Sequence, residues 1–224
     1  MRFVRENALS LFFGTLLLVV LLAQSLVGHS VYNENAHAHG EQAISYLRYL
    51  ASSNFGEAVM ENWESEFLQF TLYILATIWL VQKGSPESKK PEDAGGGSDD
   101  EQLVGPYARP DSPGWAKAGG WRTSVYSHSL VLVMGSIFLA CWLAHSFTGW
   151  RVFNEEQAAH GEAAVSWTGY LGKPDFWEQS FQNWQSELLA IGAMVVFSIY
   201  LRERGSPESK PVGAPHHWTA EESN

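Results

Sequence analysis

The chain repeats itself at a spacing of 121 residues. Ala23–Lys89 falls on Ala144–Lys210 without a gap, and 29 of the 67 aligned positions are identical. Asn33-Glu34 returns as Asn154-Glu155, and His39-Gly40-Glu41 as His160-Gly161-Glu162. Asn62-Trp63 with Ser65-Glu66 returns as Asn183-Trp184 with Ser186-Glu187, and GSPESK at Gly84–Lys89 as Gly205–Lys210. Agreement of this length is no accident of composition. It confines the expected fold to two copies of one unit and the segment between them.

Each copy carries two apolar runs. Ala8–Val27 is long enough to cross roughly 30 Å of bilayer hydrocarbon as a helix, and so is Leu130–Phe147 if its helix starts near Tyr126. Phe67–Val81 and Leu188–Leu201 are shorter, and each follows a polar, helix-permissive segment, Glu57–Glu66 and Glu178–Glu187. They read as the ends of long helices over 55–82 and 176–203, with first turns at or outside the membrane surface. Arg2 and Arg5 ahead of the first run resemble the start of a cleaved signal peptide. The same element recurs at Leu130, deep in the chain, which argues against that reading.

Two spans per copy would bring both copies into the membrane from the same side. The expected fold class is therefore all-α integral membrane: four transmembrane helices as two tandem helical-hairpin repeats, related by a pseudo-twofold axis along the membrane normal. The expected domains are 1–83, a first two-span repeat; 84–121, a flexible linker; 122–204, a second two-span repeat; and 205–224, a polar tail. The linker's Gly, Pro and acidic residues cannot bury enough apolar surface to fold.

Of the 14 Lys and Arg, only Arg48, Arg151 and Lys173 fall on the hairpin-loop side of four such spans. The positive-inside rule then places both termini and the linker in the cytoplasm and turns the hairpin loops outward. A formal net charge of −10 with no basic stripe argues against nucleic acid as a partner. The partners expected are the lipid bilayer and, within it, another membrane protein or a second copy of the chain. The lone Cys141 allows no internal disulfide and reads as a small apolar packing residue.

The repeated ionisable residues are where chemistry would reside. Glu34, His39, Glu41 and Glu66, with their counterparts Glu155, His160, Glu162 and Glu187, form the candidate metal- or cation-ligating set, since carboxylates and imidazoles are metal ligands. Glu66 and Glu187 stand where the hydrocarbon would begin, and an ionisable group there needs a partner or a function. The segments from Asn33 and Asn154 suit short amphipathic helices capped by those asparagines. The Glu-x-x-His spacing of a helical di-iron site is met at Glu34–His37 but not at Glu155–Ala158. Three readings stand for this set: a structural network of hydrogen bonds and salt bridges, a metal or cation site, and a proton or substrate path. Trp63 and Trp184 fit an interfacial aromatic belt. His145 lies in a span, but Gln24 matches it, so no haem-ligand pair stands out. GSPESK reads as a helix stop followed by a turn.

The motifs NE…HGE, FxE (Phe55–Glu57 and Phe176–Glu178), NWxSE and KGSPESK or RGSPESK, in two copies, resemble a family of uncharacterised bacterial inner-membrane proteins known only as a domain of unknown function. The resemblance covers nearly the whole chain apart from linker and tail. It implies a bacterial inner-membrane location and a topology, not an activity, and it assigns no cofactor. No phosphate-binding, dinucleotide or serine-hydrolase signature occurs. The first functional reading is thus a non-enzymatic membrane accessory or scaffold protein. Two others stand beside it: an outward-facing metal- or cation-binding protein or metal-dependent membrane enzyme, and a small ion or solute transporter.

Overall fold

A computed structural model describes residues 2–219. Met1 and the end of the expected tail, residues 220–224, lie outside the described residues. The fold is all-α, with nine α-helices and no strand among the described residues. The short α1 (Arg2–Glu6) leads into α2 (Ala8–Ala38), then α3 (Tyr46–Leu50) and α4 (Ser53–Trp79). After an irregular stretch with two 3₁₀ turns come α5 (Gly114–Ala118), α6 (Gly120–Ser127), α7 (Ser129–Ala159), α8 (Trp167–Tyr170) and α9 (Pro174–Tyr200). The long helices keep the 121-residue offset: α2 and α7 have 31 residues each, α4 and α9 have 27 each.

The four-span fold class is overturned. Among the described residues, only α2 and α7 are long and apolar enough to cross a membrane. The physical reason lies in α4 and α9. Each spends its first half on a polar segment, SNFGEAVMENWESE in α4 and PDFWEQSFQNWQSE in α9, which leaves too short an apolar stretch to span. With one qualifying helix per copy, the even span count that called for two hairpins and an axis along the membrane normal is gone.

A second correction concerns where the first long helix ends. No proline falls between Val27 and Gly40, and α2 runs on to Ala38, about 46 Å at 1.5 Å per residue. Asn33 and Asn154 lie inside α2 and α7 and cap nothing. The short helices begin later, at Tyr46 and Trp167.

The described chain divides into two compact units. One comprises Met1–Met60 and Ala144–Tyr170, the other Glu61–Leu143 and Leu171–Asn224. In the first, the chain leaves each long helix and folds back on it. The Asn33 side chain closes on one peptide group, its Oδ1 accepting from the Ile44 N–H at 2.8 Å and its Nδ2 donating to the Ile44 carbonyl at 3.2 Å. Asn154 does the same to Val165, at 2.8 and 3.0 Å. A ring N–H adds a bond to the same carbonyls: His29 Nε2 to Ile44 O at 2.7 Å, and Trp150 Nε1 to Val165 O at 2.8 Å. Ser25 pairs with the Tyr46 hydroxyl at 2.7 Å, and Ser146 accepts from Trp167 Nε1 at 3.2 Å. The returning tyrosines, Tyr49 and Tyr170, are buried against Gly28 and Gly149, where a Cβ would collide with their hydroxyls.

The second unit packs α4, α7 and α9 from residues 61, 129 and 174 onward. Gly135 of α7 lies beside Thr71 of α4, where a Cβ would meet the Thr71 methyl in ordinary contact at 3.6 Å. Aromatic edges fill the contact with α9, Trp142 on Phe176 at 5.7 Å and Phe138 on Trp184 at 6.3 Å. Such pairs add about 0.5–1.5 kcal/mol beyond the area they bury.

Candidate functional site

The HGE motifs have a backbone role. At the end of α2, the Glu41 N–H bonds the Ala36 carbonyl at 2.8 Å and the Gly40 N–H the His37 carbonyl at 3.1 Å. At the end of α7, Glu162 bonds Gln157 at 2.8 Å and Gly161 bonds Ala158 at 3.1 Å. This pair of bonds is the Schellman helix stop, which needs a left-handed residue at its centre, and Gly40 and Gly161 supply φ of 75° and 72°. His39 and His160 each donate from Nδ1 to the carbonyl four residues back, Asn35 and Glu156, at 2.8 Å. They satisfy acceptors that the ending helix leaves open.

Of the eight candidate ligands, Glu66 and Glu187 belong to the second unit and the other six to the first. Glu34, His39, Glu41, Glu155, His160 and Glu162 are exposed. Within the first unit Glu155 takes a hydrogen bond from Asn54 and feels the charges of Arg151 and Glu41. Within the second, Glu66 and Glu187 come close enough to repel. Partial burial raises the Glu66 carboxyl above its ordinary value, and the Glu187 charge adds to that. Among the described residues no group of three or more His, Cys, Asp or Glu is placed to hold a metal ion.

Two features of the second unit were not nominated from sequence. Glu64 is fully enclosed, and its Oε1 accepts from Trp184 Nε1 at 3.2 Å. The corresponding residue in the other copy is Gln185, so a search for repeated ionisable residues passes over it. A side-chain contact with a donor 120 residues away leaves no local signal.

The second feature is built by GSPESK. Both segments use left-handed glycines, Gly84 at φ 88° and Gly205 at φ 85°. Both fold on their own serines: Ser88 Oγ accepts from the Gln82 N–H at 2.7 Å and Ser209 Oγ from the Glu203 N–H at 2.9 Å. Ser85 and Ser206 likewise accept from Glu87 and Glu208, each at 3.2 Å. So positioned, the Glu87 and Glu208 side chains hydrogen-bond each other, and the Tyr73 hydroxyl donates to Glu87 Oε2 at 3.1 Å. Lys210, 2 % exposed, donates to the carbonyls of Gly84 at 2.5 Å, His216 at 2.9 Å, Trp218 at 3.0 Å and Pro215 at 3.3 Å. Burial holds its ammonium below the usual lysine value.

This arrangement can hold charge and protons. Each facing carboxyl pair, Glu66 with Glu187 and Glu87 with Glu208, joins positions 121 residues apart. Comparison with curated proteins and with solved structures gives no match. From residue 1 to residue 221 the chain matches a described family, and it belongs to that family, the domain of unknown function DUF6766.

Proposed function

We propose that this chain is a membrane-embedded accessory or scaffold protein that carries no reaction of its own, anchored by α2 and α7. The single observation behind this is the solvent-facing apolar surface of those helices. Only 6 % of the apolar window of α2 and 17 % of that of α7 is buried within the molecule. Thirteen large apolar side chains of α2, Leu9 and Phe12 to Val31 among them, stand exposed. Covering each is worth about 1.5–3 kcal/mol, so water is a poor solvent for this helix and hydrocarbon a good one. The core helix of a soluble protein would be buried, and α7 begins too deep in the chain to be a leader.

Two spans place both termini on one side of the bilayer and residues 39–128 on the other. Arg2, Arg5, Lys173, Arg202, Arg204 and Lys210 then balance Arg48, Lys83, Lys89, Lys90, Arg109, Lys117 and Arg122. The positive-inside count that placed the termini in the cytoplasm for four spans therefore selects no side for two. A membrane pellet washed with alkaline carbonate tests the anchoring: the chain stays with lipid, and its release into the supernatant refutes the proposal. Mild-detergent purification from native membranes tests the accessory role. A stoichiometric companion protein is expected, and isolation of the chain alone counts against it.

A further inference from the structure

The two long apolar helices are entered in the same way. α1 is joined to α2 through Asn7, and α6 to α7 through His128, positions 121 residues apart. The junctions are bonded alike: the Leu11 N–H donates to the Asn7 carbonyl at 3.0 Å, and the Leu132 N–H to the His128 carbonyl at 2.9 Å. The structural repeat therefore reaches ahead of Ala23. Each short helix holds bulky apolar side chains and a cation exposed, Phe3, Val4 and Arg5 on α1, and Trp121, Val125 and Arg122 on α6. At α6 this patch is enlarged by α5. Two left-handed glycines, Gly119 at φ 71° and Gly120 at φ 59°, turn the chain between the two helices. The turn sets Trp115 edge-on to Trp121, with ring centroids 5.8 Å apart, and Thr123 Oγ1 donates to the Trp115 carbonyl at 2.8 Å. The two indoles remain 46 % and 66 % exposed, and the Arg122 guanidinium lies 5.7 Å from the Trp121 ring centre. Between Asp111 and Arg151 the only Asp, Glu, Lys or Arg residues are Lys117 and Arg122, both cations, in a chain with 24 acids against 14 bases.

We propose that the α5–α6 hairpin lies in the headgroup layer of the bilayer, with Trp115, Trp121 and Val125 at the edge of the hydrocarbon and Lys117 and Arg122 bonding lipid phosphates. It rests on the reading of α7 as a membrane-crossing helix. Continuity with α7 selects the occupant. Leu130, exposed, opens the apolar run of α7 five positions after Val125. Five residues of helix rise about 7–8 Å, close to the thickness of one headgroup layer. Once Leu130 enters hydrocarbon, Val125 and Trp121 have no way to stand clear of the headgroups. The side chains suit that layer. An indole is apolar in its body and polar at its N–H, which fits a boundary that is dry on one side and wet on the other. Ammonium and guanidinium groups form charge-assisted hydrogen bonds with phosphate oxygens. Their apolar stems and the rings beside them can lie in the interface at the same time.

The test is the depth of a nitroxide in the full chain, reconstituted in phosphatidylcholine nanodiscs. One label is placed through Val125→Cys and another, on a separate chain, through Leu139→Cys. Both positions are exposed, so the substitutions leave the fold standing, and the unaltered chain, whose Cys141 is buried, measures background labelling. Collisions with oxygen, which concentrates in hydrocarbon, are compared with collisions with a water-soluble nickel chelate. The Leu139 label should meet oxygen and little nickel. The Val125 label should read at the level of the lipid phosphates, between the Leu139 label and free nitroxide in buffer. Lys117→Gln with Arg122→Gln should raise nickel collisions at Val125 about twofold or more, and Lys117→Arg with Arg122→Lys should leave them low. A Leu139 label in hydrocarbon with a Val125 label as open to nickel as free nitroxide overturns the proposal and leaves the anchoring by α7 intact. A Leu139 label in water refutes the anchoring, and the proposal with it. A Val125 label shielded from both oxygen and nickel overturns the proposal, because protein and not lipid then covers the hairpin. Nickel collisions unchanged by the double glutamine variant overturn the phosphate contacts.

Discussion

Replacing Gly28 by alanine puts a Cβ onto the Tyr49 hydroxyl, closer than any real Cβ contact. Two effects oppose each other. Alanine in place of glycine inside a helix gains about 1 kcal/mol of propensity. Forcing an atom into packed surroundings costs about 1–3 kcal/mol. The ring has little freedom to withdraw: Tyr49 is 6 % exposed and sits among His29, Tyr32 and Phe55 at centroid distances of 5.7, 5.8 and 5.5 Å. With the ring held in place the cost falls at the upper end of that range, so the collision should win, with a net loss of up to about 2 kcal/mol, as much as a thirtyfold change in the folded-to-unfolded ratio. Gly14→Ala in the same helix is the control, since nothing lies within 4 Å of its Cβ, and it should be neutral or stabilising. Removing the hydroxyl in Gly28→Ala/Tyr49→Phe should recover part of the loss, because the next ring atom lies 3.1 Å away. The assay is reversible unfolding in mixed micelles followed by tryptophan fluorescence. If Gly28→Ala proves as stable as Gly14→Ala, the account of Tyr49 packed on the α2 backbone is wrong.

Asn154→Ala removes both bonds to the Val165 peptide and should cost about 2–3 kcal/mol locally. Hydrogen exchange at Val165 and through α8 should accelerate, while that in the second unit stays unchanged. Leu139→Arg, at an exposed apolar position of α7, adds about 2.5–3.5 kcal/mol to insertion and should lower the fraction retained after alkaline carbonate washing. Glu87 is raised in the folded chain above its unfolded value. Its contribution to stability is therefore full below the ordinary glutamate range and lost as pH rises through the raised folded value. Unfolding midpoints should fall over that window, and Glu208→Gln should flatten the fall; a midpoint rising with pH there would contradict the assignment.

Much of the local structure is legible in the residues, because its causes are local. The 20-residue apolar run after Asn7 and the one after Ser129 specify long helices on their own. The glycine of each HGE ends its helix within one turn. What misled the four-span reading was the same locality. Phe67–Val81 and Leu188–Leu201 look like spans in isolation, but the helices they belong to begin with acidic, amide-rich turns. The repeat marked His39 and His160 as candidate ligands, and the bond each makes to a carbonyl four residues back is a helix-end role that the repeat alone did not show.

The 121-residue repeat, the helical character and the two lipid-compatible helices were thus determined by the sequence itself, since period, length and a left-handed glycine act within a few residues. Only the tertiary structure decided which acids matter. Glu64 meets Trp184 across 120 residues, Lys210 reaches the Gly84 carbonyl across 126, and Glu87 finds Glu208. Ionisation and hydrogen bonding depend on which groups displace water from a side chain, and those groups are chosen by packing, not by neighbours along the chain.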